Sequence, residues 1–78
     1  MGEPRIVSDP RIMMGKPTIF GTRLTVELIL EEMAGGITIP ELIEMYPSLT
    51  RESIRAALKY AIKTVRGEAK YELVLEKA

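Results

Sequence analysis

Residues 38–65 read TIPELIEMYPSLTRESIRAALKYAIKTV, and this stretch carries the signals for two helices joined by a short turn. Thr38 and Glu41 have the T-x-x-E spacing of a capping box, which marks the start of a helix. Pro47 ends that helix, because proline cannot continue the backbone hydrogen-bond pattern. A short helix, a three-residue turn and a longer helix follow one another in the order typical of a helix-turn-helix.

The longer helix of this pair is predicted to be amphipathic. Thr50 can cap its start, and Gly67 is a suitable residue to end it. Its apolar residues recur with helical spacing and form one stripe, which consists of Ile54, Ala57, Leu58, Ala61, Ile62 and Val65. We expect this stripe to pack against the other helices of the domain.

The opposite face of the same helix carries a row of positive charge. Arg51, Arg55 and Lys59 are spaced by four residues, so they fall on one side of the helix. In a helix-turn-helix the N-terminal part of the second helix enters the major groove, where arginine binds guanine and lysine meets phosphate. The row is therefore a candidate DNA-binding surface.

A simpler interpretation of the row is that it is the solvated side of an amphipathic helix. Glu52 lies beside it and would repel phosphate. Many small three-helix domains never contact DNA, so the charge pattern leaves both interpretations open.

A further helix precedes this pair. Thr25 can cap a segment that runs from residue 26 to residue 34, and Gly35-Gly36 is a strong stop signal. The sequence thus predicts a mainly α fold, a three-helix bundle containing a helix-turn-helix, whose trihelical core spans residues 25–67.

Residues 1–24 are predicted to form an N-terminal β-arm of the same domain. Three short β-prone runs lie at 5–8, 11–14 and 18–20, separated by turn residues. Pro17 has no N–H to donate to a ladder, so only edge strands or extended turns are expected beside it.

The C-terminal tail, residues 68–78, has an ambiguous pattern. Tyr71, Leu73 and Leu75 alternate with other residues, which favours a strand that could bind a partner by adding to its sheet. Val74 breaks the alternation, and the same letters also permit a helix.

Composition restricts the function. The 78 residues contain no cysteine and no histidine, so thiolate metal sites are excluded and the commonest general base is missing. We expect no enzyme, no metal and no cofactor.

Eleven basic residues balance eleven acidic ones, so any attraction to nucleic acid must be local. No apolar run approaches the ~20 residues that span a membrane, and a cytoplasmic protein without membrane contact is expected.

Gly15-Lys16 superficially suggests a phosphate-binding loop. Such a loop requires G-x-x-x-x-G-K-[ST], but no glycine stands five residues before Gly15. Pro17 follows the lysine, where a metal-binding hydroxyl is needed. A nucleotide site is therefore excluded.

The run GKPTIFGTRLTV at residues 15–26 resembles the signature of the prokaryotic family of domains of unknown function numbered four hundred and thirty-three. Further matching residues extend the resemblance over about residues 5–62, including Tyr46-Pro47 and the segment ALKYA at 57–61. The family's usual end, a helix rich in tyrosine and acidic residues, is poorly reproduced after Gly67.

The resemblance implies a small helix-turn-helix domain of the VapB-like antitoxin type, encoded beside a PIN-like ribonuclease toxin. It implies binding to an operator and to the toxin. For Arg23, which lies within the signature, two roles are considered. It either pairs with a glutamate and locks the arm onto the helices, which we favour, or contacts DNA phosphate.

Two functions remain to be separated. One is a homodimeric DNA-binding antitoxin, in which the small core and unpaired strand edges favour dimerisation. The other is a protein-interaction module that does not bind DNA, for which zero net charge is expected.

Overall fold

A computed structural model describes residues 4–67 of the chain. It shows a mainly helical fold in which three helices follow a small antiparallel sheet, so the predicted fold class is confirmed for this part. The predicted partner-binding residues Tyr71, Leu73 and Leu75 lie outside the described residues. The strands and α-helices are β1 (Ile6–Val7), β2 (Thr18–Ile19), α1 (Val26–Ala34), α2 (Ile39–Met45) and α3 (Arg51–Val65), and a short 3-10 helix lies at Met13–Gly15.

The first two helices begin directly after the threonines that were predicted to cap them. The side chain of Thr25 accepts a hydrogen bond from the backbone N–H of Leu28 at 2.9 Å. At α2, the Thr38 N–H donates to the Glu41 carboxylate at 2.8 Å, and the Glu41 N–H donates to the Thr38 hydroxyl at 3.3 Å. The Thr38 N–H, and the Thr38 hydroxyl that donates to the same carboxylate at 3.0 Å, lower the pKa of Glu41 below its usual value, because both hydrogen bonds stabilise its charged form.

Strand β2 is paired on both of its edges. On one edge it runs antiparallel to β1, with Ile6 opposite Ile19. On the other edge it meets the residues that lead into α1, and the Val26 N–H donates to the Pro17 carbonyl at 2.9 Å. Proline is tolerated at this position because only its carbonyl is used.

The prediction of a strand at 11–14 is wrong. Met13 and Met14 have φ angles of 50° and 56°, in the left-handed region, so the chain turns here instead of extending. The turn begins at Asp9, whose carbonyl accepts a hydrogen bond from the Ile12 N–H at 2.8 Å. The physical reason is topological, since β1 and β2 are antiparallel and the segment between them must reverse direction.

The core lies where the three helices and β2 meet. Ile29, Leu42 and Ile54 are fully buried and come from α1, α2 and α3 respectively. Among the described residues, seven apolar side chains are buried, namely Ile19, Val26, Ile29, Leu42, Leu49, Ile54 and Ala57. Each helix thus contributes at least one buried side chain, and all three helices contact one another. None of the helices in residues 4–67 is both long and apolar enough to cross a membrane.

Candidate nucleic-acid interface

The turn between α2 and α3 fixes the position at which α3 begins. Leu49 is buried in the core, and its N–H donates to the Tyr46 carbonyl at 2.9 Å. The Thr50 hydroxyl accepts from the Ser53 N–H at 3.0 Å, and the Ser53 hydroxyl accepts from the Thr50 N–H at 2.8 Å. This reciprocal cap holds the first turn of α3 in one orientation.

Because α3 is anchored by its apolar face, its cationic row points to solvent. Ile54 and Ala57 are buried, whereas Arg51, Arg55 and Lys59 are exposed. The three basic side chains make no ion pair with any residue between 4 and 67. Eight residues of helix place Arg51 and Lys59 about 12 Å apart along the axis. The structure therefore brings these three predicted residues together with their charges free.

Lys63 continues the row, although it was not among the residues predicted from the sequence. It is exposed and lines a shallow cleft with Lys59, Tyr60 and Ile6. The signal was present in the sequence, because Lys63 follows Lys59 by the same four-residue step. With Lys63 the row extends over about 18 Å of helix.

The N-terminal arm borders the row. Pro4 lines a second cleft together with Glu52, Arg55 and Lys59. Sequence patterns could not have predicted this neighbour, because it depends on how β1 packs against α3. Glu52 does lie beside the row, as expected from the sequence, and it reduces the positive charge at that point.

Arg23 lies in the turn between β2 and α1, and it is exposed. Within residues 4–67 it forms no ion pair, so the expected partner glutamate is not found there. Lys16 pairs with a glutamate of α1 instead, with its Nζ atom 3.2 Å from the Glu27 carboxylate. The two side chains are about half exposed, so this pair adds little stability.

The turn that leads from β2 into α1 is held by neutral hydrogen bonds. The Thr22 hydroxyl donates to the Ile19 carbonyl at 2.9 Å and accepts from the Leu24 N–H at 3.0 Å. Together with the pairing of β2 on both edges, these bonds fix the chain as it enters α1. The motif at residues 15–26 is therefore a structural connection in this fold.

Charge is segregated between the helices. Helix α3 carries four basic residues and one acidic residue. Helices α1 and α2 carry acidic residues and no basic one, the acidic residues being Glu27, Glu31, Glu32, Glu41 and Glu44. The net charge of the chain is zero, but the chain has a basic helix next to two acidic helices.

A family model described as "Protein of unknown function (DUF433)" matches residues 6–61, more than half of the chain. The chain belongs to the DUF433 family. The match includes both strands, the connection at residues 15–26 and α3 as far as Ala61. Lys63 and the tail lie beyond the matched DUF433 region.

Two relatives extend the DUF433 comparison. The chain is 38% identical over 56 residues to the uncharacterized protein y4eO of Sinorhizobium fredii (strain NBRC 101917 / NGR234). The aligned region is 72% of this chain and 25% of y4eO, so the chain spans about a quarter of that relative. The fold is similar to the crystal structure of a DUF433 member protein from Anabaena variabilis ATCC 29413, with a TM-score of 0.74 and 29% identity. That match covers 80% of this chain and 61% of the Anabaena protein.

Proposed function

We propose that this DUF433 protein is a cytoplasmic, non-enzymatic antitoxin that binds its own operator as a dimer and neutralises a PIN-like ribonuclease toxin. The observation that carries the DNA-binding part is the exposed, unpaired row of Arg51, Arg55 and Lys59 on α3. The antitoxin part is supported by the resemblance in residues 15–26. The proposal needs no cofactor.

The geometry of α3 suits the major groove. Its N-terminal half is capped and anchored through Leu49, so Arg51 and Arg55 extend from a rigid support. Two arginines one helical turn apart can reach base edges or phosphates, while Lys59 and Lys63 meet the backbone further along.

The separation of basic residues on α3 from acidic residues on α1 and α2 favours one orientation of the protein on DNA. Phosphates attract α3 and repel the acidic residues of α1 and α2, so long-range forces turn the α3 face toward DNA. Such steering weakens as salt increases, because mobile ions screen it.

DNA binding is tested by fluorescence anisotropy with the protein's own upstream DNA, comparing the wild type with Arg51→Ala and Arg55→Ala. We expect each variant to lose about 1–3 kcal/mol of binding free energy if the arginine contacts a base, which is roughly 5- to 150-fold in Kd. Wild-type affinity should also fall steeply with salt.

The matched control is Arg11→Ala, which removes the same charge from an exposed arginine that is already paired with Asp9 at 2.9 Å. It should bind like the wild type. Binding that is absent in the wild type, or equally weakened by all three substitutions, would contradict the role of α3.

A second candidate function is a protein-interaction module that does not bind DNA. It is favoured by the exposed apolar side chains Ile62 and Val65 near the end of α3. In that case the tail residues Tyr71, Leu73 and Leu75 would add a strand to a partner.

Copurification of the product of a neighbouring gene tests toxin binding in either function. Deletion of residues 68–78 should abolish the complex, and an unaffected complex would count against the tail as the binding segment. DNA binding by the same purified protein separates the two functions.

A further inference from the structure

One side of the second half of α3 carries a continuous apolar surface. A groove between α1 and α3 is lined mainly by apolar side chains, among them Val26, Leu30, Ala61 and Val65. A second depression, on the outer side of α3, is also lined by Ala61 and Val65, together with Leu58 and Ile62. Because the two share residues, they form one surface, which we call the α3 end surface.

We propose that the α3 end surface binds a second copy of this chain, with Ile62 and Val65 of each copy seated in the α1–α3 groove of the other. Ile62 is 49% and Val65 is 84% exposed, which is unusual for side chains that follow a buried stripe on the same helix. A two-fold axis makes each such contact twice, so a small patch on each copy suffices for a larger interface.

Charge complementarity favours a second copy as the occupant. The groove is bordered by Lys16, Glu27 and Glu31, and the Lys16–Glu27 pair leaves Glu31 as its uncompensated charge. The outer depression is bordered by Arg66. Neither Glu31 nor Arg66 has an ion-pair partner within residues 4–67. In the proposed dimer, Arg66 of one copy faces Glu31 of the other.

The described strand edges offer less for dimerisation than this surface does. Both edges of β2 are already paired, one with β1 and the other with the residues leading into α1. Strand β1 is two residues long and packs against α3. The α3 end surface is therefore the better candidate for the contact between two copies.

The dimer contact lies at the end of α3 opposite to Arg51, since the helix spans about 21 Å between Arg51 and Val65. Arg51 and Arg55 of both copies therefore stay exposed when the C-terminal ends of the two α3 helices meet. The inference rests on the proposed function for its biological use, in which two α3 helices read two half-sites, but the contact itself requires no DNA.

The experiment measures the oligomeric state of the full chain by sedimentation equilibrium over a range of concentrations. The wild type should reach twice the chain mass of 8.7 kDa. Ile62→Glu and Val65→Glu should raise the dimer dissociation constant at least about tenfold, because each places a charge in the apolar contact. Circular dichroism checks that both variants remain helical.

The matched control is Met45→Glu, which introduces the same charge at a side chain 46% exposed on α2, outside the α3 end surface. It should dimerise like the wild type. A charge exchange tests the proposed pairing, since Glu31→Arg and Arg66→Glu should each weaken the dimer and their combination should restore it.

A wild type that stays monomeric overturns the inference and leaves the surface to the chain's own tail or to a different protein. A dimer unaffected by Ile62→Glu and Val65→Glu overturns it as well. A failure of the DNA-binding proposal can be told apart from a failure of the dimer proposal. Arg51→Ala and Arg55→Ala should weaken DNA binding and leave the dimer intact.

Discussion

At the residue scale, the connection at residues 15–26 depends on a few backbone conformations. Ile19 and Thr22 close a turn, with the Thr22 N–H donating to the Ile19 carbonyl at 3.0 Å. Gly21 occupies the third position of this turn with φ 84°, a conformation that residues with a side chain rarely adopt. The glycine is there for its backbone, since a Cβ at this position would meet no atom within 4 Å.

Gly21→Ala should therefore destabilise the domain by about 1–2 kcal/mol, because only the left-handed backbone opposes the new methyl group. Urea denaturation followed by circular dichroism measures this change. Gly35→Ala is the control, since Gly35 has φ −82° and its Cβ would lie at an ordinary 3.5 Å from the Glu31 carbonyl oxygen. Equal destabilisation by both substitutions would contradict the explanation from φ.

At the element scale, the helices follow from local signals and the arm does not. Each helix starts at a threonine whose hydroxyl accepts a hydrogen bond from an N–H three residues later. That interaction lies within one turn of helix, so the sequence predicts it well. The turn at Met13 and Met14 depends on the pairing of β1 with β2. Its local sequence is rich in β-prone residues and by itself predicts an extended strand.

The cap of α3 is the element on which the candidate interface depends. Thr50→Ala should cost about 1 kcal/mol of stability, because it leaves the Ser53 N–H without its acceptor. Thr50→Ser keeps the oxygen and should behave like the wild type. Thermal unfolding monitored by circular dichroism measures both, and a shift of about 4–8 °C is expected for the alanine variant. A similar loss in both variants would show that the methyl group of Thr50, not its hydroxyl, is responsible.

At the scale of the whole molecule, a small core joins all the elements. Seven buried apolar side chains among residues 4–67 come from the three helices, from β2 and from the α2–α3 turn. A domain of this size has only a few kcal/mol of stability, so each buried side chain is a large fraction of it. A dimer through the α3 end surface would add to this stability, since association favours the folded state.

Ile54→Ala should unfold most of the population, because Ile54 is 0% exposed and its truncation costs about 2–5 kcal/mol. Ile54→Val removes one methylene group and should cost only about 0.5–1.5 kcal/mol, leaving a folded domain. Circular dichroism at several protein concentrations distinguishes the two variants. If Ile54→Ala keeps the wild-type midpoint, the core is not where the structure places it.

The sequence by itself determined the three helices, their threonine caps and the row of Arg51, Arg55 and Lys59. These features depend on residues within a few positions of one another, so spacing is enough to predict them. The tertiary structure alone decided that the chain turns at Met13, that Lys16 pairs with Glu27, and that the arm borders the row. It alone placed α1 beside the end of α3, which creates the apolar groove. Each of these features depends on contacts between different segments of the chain. Those contacts are set by how the segments pack together in the fold, so the spacing of neighbouring residues does not predict them.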